Sequence, residues 1–277
     1  MVTVAERLAV AGLTPAERKV ARVLLADYPV RGLEPVAKLA AEAGVSAPTV
    51  IRLVTKLEFD SYADFQQSLK AEVSARLSSP LSMYGGGPAG SDAVSRSEKV
   101  LCGGISSSFA RLPRAEFDQA VSLLADPRRG VTLIGGRFSS MLAEYLAAHL
   151  RILRSNVRVV TSFDRVSAML DVGRGDVLVA FDYRRYQHDT VRLSMIAKSQ
   201  GATLIAFTDP YRSPLATHAD VILTTSVASP SPFDALTPAV ALVETVIAAL
   251  VDRLGAAPLE RMARYDALFA GTVTGES

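Results

Sequence analysis

The chain has 277 residues, a net charge of only +2, 49% hydrophobic and 21% charged residues, and a single cysteine. That length favours two domains, each able to bury a core of its own. The lone Cys102 excludes an intrachain disulfide and a cysteine-built metal cluster and fits a reducing compartment, while the near-neutral balance means that any affinity for nucleic acid must come from a local patch.

Met1 to Val10 carry Glu6 and Arg7 and lack the apolar core of a signal peptide. The longest nearly apolar stretch, Thr237 to Val251, is interrupted by Glu244 and falls short of the ~20 residues a bilayer span requires. A cytoplasmic location without a membrane partner is therefore expected. Residues 1–77 read as wholly helical, because apolar residues recur at helical spacing and no alternating run interrupts them. Residues 78–95 are dense in Gly, Pro and Ser and read as a flexible linker. Residues 96–277 carry two helices, about 96–111 and 114–125, and then short β-rich runs alternating with helical segments. The runs are Val131–Ile134, Val157–Thr161, Val177–Phe181, Thr203–Phe207 and Val221–Thr224, mostly apolar throughout and hence buried on both faces. Strands separated by helices imply right-handed crossovers and a doubly wound, five-stranded parallel sheet. Thr237–Arg253 and Pro258–Phe269 close the α/β domain as helices.

Within the all-α N-terminal domain, Thr14, Pro15 and Glu17 spell a capped helix start, and the helix runs to about Tyr28. Two shorter helical segments follow, Pro35 to Ala43 and Ala47 to Leu57. Leu39, Ala40 and Ala43 form one apolar stripe and Val50, Ile51, Val54 and Leu57 another; between them Gly44 supplies a left-handed turn, Val45 a core plug and Ser46 a cap. Two short helices across a tight Gly turn form the helix-turn-helix that sets a recognition helix into the major groove of double-stranded DNA. Ser46, Pro48, Thr49, Arg52, Thr55 and Lys56 are the candidate DNA-binding residues; Arg52 suits a guanine edge and Lys56 a phosphate. The alternative is a small helical bundle whose charged face is merely solvated. Leu13-Thr14-Pro15-Ala16-Glu17, with Leu39-Ala40, Gly44-Val45-Ser46, Thr49-Val50, Arg52-Leu53, Lys56-Leu57 and Tyr62-Ala63-Asp64-Phe65, resembles the DNA-binding domain of RpiR-type transcriptional regulators. One departure is Glu58, where that family usually has Gly after the recognition helix, so this end needs a different cap.

The resemblance implies a sugar-isomerase-type (SIS) domain after the linker, and residues 96–270 look like one. Its first loop, Ile134-Gly135-Gly136-Arg137-Phe138-Ser139-Ser140, leaves a strand and enters a helix. Gly135 permits the tight turn, while Ser139 and Ser140 offer hydroxyls and amides at a helix N-terminus, an arrangement suited to an anion. A plain tight turn is the alternative. The second loop, Asp182 to Thr190, departs from the Ser-x-Ser-Gly-x-Thr that usually holds a sugar phosphate in the resembled domain. Asp182 and Arg184 stand for the serines, Arg185 for the glycine and Gln187 for the threonine, and Arg137 stands near a second common glycine.

Arg137, Arg184 and Arg185 can still converge on a phosphate or carboxylate. Alternatively Arg184 pairs with Asp182 or Asp189, protein side chains fill the pocket, and the domain only oligomerises. Glu244 lies where isomerising relatives direct a carboxylate at the pocket; a solvent-facing or helix-pairing role is the other reading. His188 reads as an exposed loop residue, His149 and His218 lack metal-ligand spacing, and neither a metal nor a cofactor is implied. The expected function is a homodimeric or homotetrameric regulator that binds operator DNA and senses a small anionic effector, with the linker letting the DNA-binding domains be respaced. A sugar-phosphate isomerase with Asp182 or Glu244 as base, and a purely structural DNA binder, are the alternatives.

Overall fold

The computed structural model describes residues 3–77, 79–83 and 92–270. Its N-terminal part consists of α1 (Val4–Val10), α2 (Pro15–Ala26), α3 (Val36–Ala43), α4 (Ala47–Lys56) and α5 (Tyr62–Leu77), with a 3-10 turn at Val30–Leu33. α2 begins as expected: the Thr14 N–H donates to the Glu17 carboxylate at 2.8 Å, the Thr14 hydroxyl accepts from the Glu17 N–H, and Pro15 opens the helix. α1 is an addition to the sequence reading. Thr3 and Glu6 form a second capping box at the same spacing, and Val4, Ala5 and Leu8 join a core with Val20, Leu24, Leu39, Leu53, Phe65 and Leu69.

The rest comprises α6 (Pro80–Met83), α7 (Ala93–Ala110), α8 (Arg114–Ala125), β1 (Val131–Gly135), α9 (Ser140–Leu153), β2 (Val157–Val159), β3 (Val177–Phe181), α10 (His188–Ser199), β4 (Thr203–Thr208), β5 (Val221–Thr224), α11 (Thr237–Leu254) and α12 (Leu259–Phe269). Of the expected linker, 80–83 form a helical turn and α7 starts at Ala93, where the Asp92 carboxylate accepts from the Val94 and Ser95 amides; 84–91 lie outside the described residues. All five strands lie where expected. β2 ends two residues early because the Thr161 amide turns to the Asp164 carboxylate at 2.7 Å instead of continuing the ladder.

The sheet is wholly parallel in the order β2-β1-β3-β4-β5. Successive strand residues alternate between two cores. Leu133, Val179 and Ile205 pack toward α8, α9 and α11, while Ile134, Leu178 and Ala206 pack toward α10. Strand order reverses between β1 and β3, and in open α/β sheets the crevice beyond the carboxyl ends at such a point is where ligands bind.

The two parts touch directly, which the linker reading does not anticipate. Arg111 after α7 pairs with Glu6 of α1 at 3.0 Å, and the Arg184 guanidinium after β3 donates to the Ala75 carbonyl in the last turn of α5 at 3.3 Å.

Candidate functional site

α3 ends at Gly44, whose φ of 62° is left-handed. The Val45 N–H reaches the Ala40 carbonyl at 3.0 Å and the Gly44 N–H the Ala41 carbonyl at 3.1 Å, closing the helix and reversing the chain into α4. The buried residues of α4 are Thr49, Val50, Leu53 and Val54, followed by Leu57. This corrects the expected stripe: Leu53 is fully buried and Ile51 is 41% exposed, because positions i, i+3, i+4 and i+7 from Val50 select Leu53.

Two further expectations change. Thr49 points inward, where its hydroxyl lies 3.0 Å from that of Ser46 and accepts from Arg52 at 3.2 Å. Ser46 therefore holds Thr49 and makes no side-chain cap bond to the backbone of α4. Lys56 bends back to the Glu17 carboxylate at 2.7 Å and the Gly12 carbonyl at 3.0 Å, so its ammonium is engaged inside the domain instead of standing free for a phosphate. Pro48, Ile51, Arg52, Thr55 and Lys56 are the exposed residues of α4, with Ser46 exposed at its start, and of these Lys56 has its ammonium paired with Glu17.

The cap at the end of α4 is made by Glu58 itself. It takes the left-handed conformation (φ 63°), the Glu58 N–H donates to the Thr55 carbonyl at 2.9 Å and the Phe59 N–H to that of Val54 at 3.2 Å. Arg7 adds a donor to the Leu57 carbonyl at 2.5 Å, placing a cation at the negative end of the helix.

At the switch point the loops after β1 and β3 enclose a cavity of about 440 Å³, lined among others by Arg137, Ser139, Asp182, Arg184, Arg185 and Gln187 and, across the mouth, by Phe233 and Asp234. The three arginines therefore meet at one cavity. Arg184 is nearly buried and bonded to Asp234, a partner the sequence reading did not name, and Arg185 lies 3.8 Å from the same carboxylate. Asp189 instead faces Arg192 at 3.7 Å. Arg137 is exposed, stacks 5.3 Å over the Phe138 ring, and has no carboxylate partner among the described residues. Arg185 sits at φ 68°, a left-handed backbone that favours glycine, the residue usual at this place in the resembled loop.

Other candidates serve the scaffold. The Ser139 hydroxyl donates to the Phe181 carbonyl at 2.6 Å and accepts from the Gly136 N–H at 2.9 Å, tying β1 to β3 and leaving no hydroxyl proton for a ligand. Ser140 starts α9, and neither it nor Gly135 lines the cavity. Gly135 lies against the turn that follows: a Cβ there would fall 2.5 Å from the Ser140 N and Cα. Glu244 is exposed, accepts from the Tyr145 hydroxyl at 3.2 Å and stands outside the cavity lining, which favours helix pairing. His188 is exposed at the start of α10.

Asp182 is nearly buried, and that burial pushes its carboxyl up to about 6 despite donors from Ser213 and the Gln187 N–H. Burial likewise raises Asp209, beneath the same loop, to about 6, although it accepts from the Tyr186 hydroxyl and the Tyr211 N–H. A carboxyl whose folded value lies above its unfolded one favours the protonated native state, so the native state gains stability as pH falls from above 6 toward 4. Glu17, lowered by Lys56, acts oppositely, but only below the ordinary glutamate range. Thermal unfolding at about pH 5 should therefore show a protein more stable than at about pH 7.5 by on the order of 2 kcal/mol. Constant or falling stability over that interval would contradict the assigned burial.

Residues 6–76 match the helix-turn-helix domain of the rpiR family, and residues 123–249 match the SIS domain. The chain belongs to the RpiR-type regulators. It is 31% identical over 221 residues to the bifunctional protein glk of Burkholderia mallei, covering 77% of this chain and 33% of that protein. It thus spans about a third of the length of that relative. It is 29% identical over 229 residues to the HTH-type transcriptional regulator HexR of Escherichia coli, covering 78% and 74% of the two chains. Among solved structures, the sugar isomerase domain of the RpiR transcription factor from Sphaerobacter thermophilus superposes with a TM-score of 0.59 at 20% identity, over 63% of this chain and 98% of that one. The Vibrio vulnificus NanR protein complexed with ManNAc-6P superposes with a TM-score of 0.58 at 16% identity, over 95% and 96%. These likenesses establish an RpiR fold: a helical N-terminal region and a five-stranded parallel sheet flanked by helices. Among the described residues, no helix is long and apolar enough to cross a membrane.

Proposed function

We propose that this RpiR-type protein binds operator DNA through α4 and takes a small anionic metabolite into the cavity at the β1/β3 switch point, each event altering the other. The observation that carries this reading is the double role of Arg184. Its side chain lines the cavity, pairs with Asp234 and donates to a carbonyl in the last turn of α5, where a helix has unpaired acceptors and partial negative charge. An anion attracted to Arg184 competes with Asp234 and with α5 for one guanidinium. Differential contact of this kind is what a ligand needs in order to shift an equilibrium between two arrangements. Coupling then runs through a direct domain contact in place of a respaced linker.

A sugar phosphate, sugar acid or other small carboxylate suits Arg137 and Arg185 at the mouth; the ManNAc-6P bound by NanR supports the phosphorylated member of that class. Residues 1–77 would read DNA and 96–277 would bind ligand and assemble a dimer or tetramer, to which the exposed Phe138, Met141 and Tyr145 offer an apolar surface. Isomerase chemistry is the weaker reading, since Asp182 is engaged by Ser213 and Gln187 while Glu244 stands away from the cavity.

The test is fluorescence anisotropy of the intact protein on duplex DNA from upstream of its own gene, with scrambled duplex as competitor. Arg52→Ala should weaken selective binding by about 1–3 kcal/mol, the worth of one good base contact, while leaving the weak binding to scrambled duplex nearly unchanged. Equal loss on both duplexes would demote Arg52 to a phosphate contact.

A further inference from the structure

We infer that Ile51 is a base-reading residue that contacts the 5-methyl group of a thymine at, or next to, the base pair read by Arg52. The inference rests on the proposed DNA-reading role of α4 and specifies what that helix selects. α4 separates into an inner face of Thr49, Val50, Leu53 and Val54 and an outer face of Pro48, Ile51, Arg52, Thr55 and Lys56. Ile51 is a large aliphatic side chain on the outer face, 41% exposed. A β-branched residue there lowers helix propensity relative to Ala, Lys or Glu and leaves apolar surface in water, so helix propensity does not account for it.

The neighbours fix what such a side chain can meet. Pro48, Ile51 and Thr55 follow one line along the helix at i, i+3 and i+7, with Arg52 beside it. At ~1.5 Å rise per residue that line is roughly 10 Å long, about three base-pair steps of ~3.4 Å. Arg52 is drawn by the Thr49 hydroxyl toward the N-terminal turn, and Lys56 is drawn off the face to Glu17 and Gly12. The outer face thus presents one cationic fork and one aliphatic group side by side, ~1.5 Å apart along the axis, which is less than one base-pair step. On base edges in the major groove the apolar counterpart of an aliphatic side chain is the thymine methyl, and guanine O6 and N7 are the counterpart of arginine. The recognised half-site should therefore carry a thymine within one base pair of a guanine.

The experiment selects duplexes from a randomised pool with the intact protein, identifies the half-site, and replaces each thymine in turn by deoxyuridine, which removes only the methyl. For the wild type, one thymine per half-site should cost about three- to tenfold in affinity on losing its methyl, the scale expected for removing one or two buried carbon groups. Ile51→Ala should lose a similar factor on the natural half-site, should be insensitive to uracil at that position, and should melt at the wild-type temperature because the replaced side chain lies outside the core. A uracil penalty that is the same in wild type and Ile51→Ala, or no penalty at any thymine, overturns the assignment to Ile51 while leaving Arg52-dependent reading intact. If no sequence is enriched at all, the DNA-reading role fails and the inference falls with it.

Discussion

Arg184→Met is expected to lower stability by about 3–5 kcal/mol, because it strands the carboxylate of Asp234, itself nearly buried, in a pocket whose remaining cation, Arg185, sits 3.8 Å away. Asp234→Leu should be comparably damaging, since it strands Arg184. Arg184→Met combined with Asp234→Leu should recover most of the loss, because two apolar groups filling the space of a buried ion pair leave no uncompensated charge. Denaturant melts of the two single variants and the double variant measure this. If each single variant costs under about 1 kcal/mol, the pair is as weak as an ordinary surface bridge and the buried geometry is wrong. The double variant also separates stability from signalling: folded, and with α4 intact, it should bind DNA but respond to no anion.

Gly135→Ala is expected to cost about 3 kcal/mol and to remove anion binding together with it, an effect at the upper end for overpacking a close-fitted site. The added Cβ would lie 2.5 Å from the Ser140 N and Cα and 2.7 Å from the Ser139 carbonyl carbon, all backbone atoms that cannot step aside like a side-chain end. Relief requires moving the turn that holds Arg137 and Phe138 at the cavity and that the Ser139 hydroxyl ties to β3. Gly136→Ala is the useful contrast, because its nearest neighbour is the Gln187 side chain at 2.7 Å, which can swing away. Similar losses at the two positions would mean that the strand-to-helix turn is looser than described.

The sequence reveals the scaffold more clearly than the site, and particular residues show why. The parallel sheet is legible because Val131–Ile134 and Val177–Phe181 are apolar at every position, the mark of strands covered on both sides. The swap of Ile51 for Leu53 arises because the buried stripe follows Val50, Leu53, Val54 and Leu57 at i, i+3, i+4 and i+7, and Ile51 lies on the side of Val50 away from Leu53 and Leu57. Glu58 and Arg185 stand where glycine is usual in the resembled family, and both keep the left-handed backbone conformation. At each of these two positions a side chain is carried on a left-handed backbone, at a cost of about 1–2 kcal/mol. Asp234 could not be read in advance, since it lies in a loop 50 residues from Arg184 with no periodic signal to connect them. The same holds for Lys56 and Glu17: their pairing depends on how α2 crosses α4, which no local pattern encodes.

The most direct test of the coupling between cavity and helix is to titrate DNA in the presence and absence of a saturating anion, chosen from sugar phosphates and sugar acids by thermal shift, and then titrate the anion in the presence and absence of saturating DNA. If Arg184 links the two sites, both affinities change by the same factor, about 5–150 for couplings of this kind, and Arg184→Met with Asp234→Leu reduces that factor to one. Tight binding of both DNA and anion with neither affecting the other, in the wild-type protein, would contradict the account.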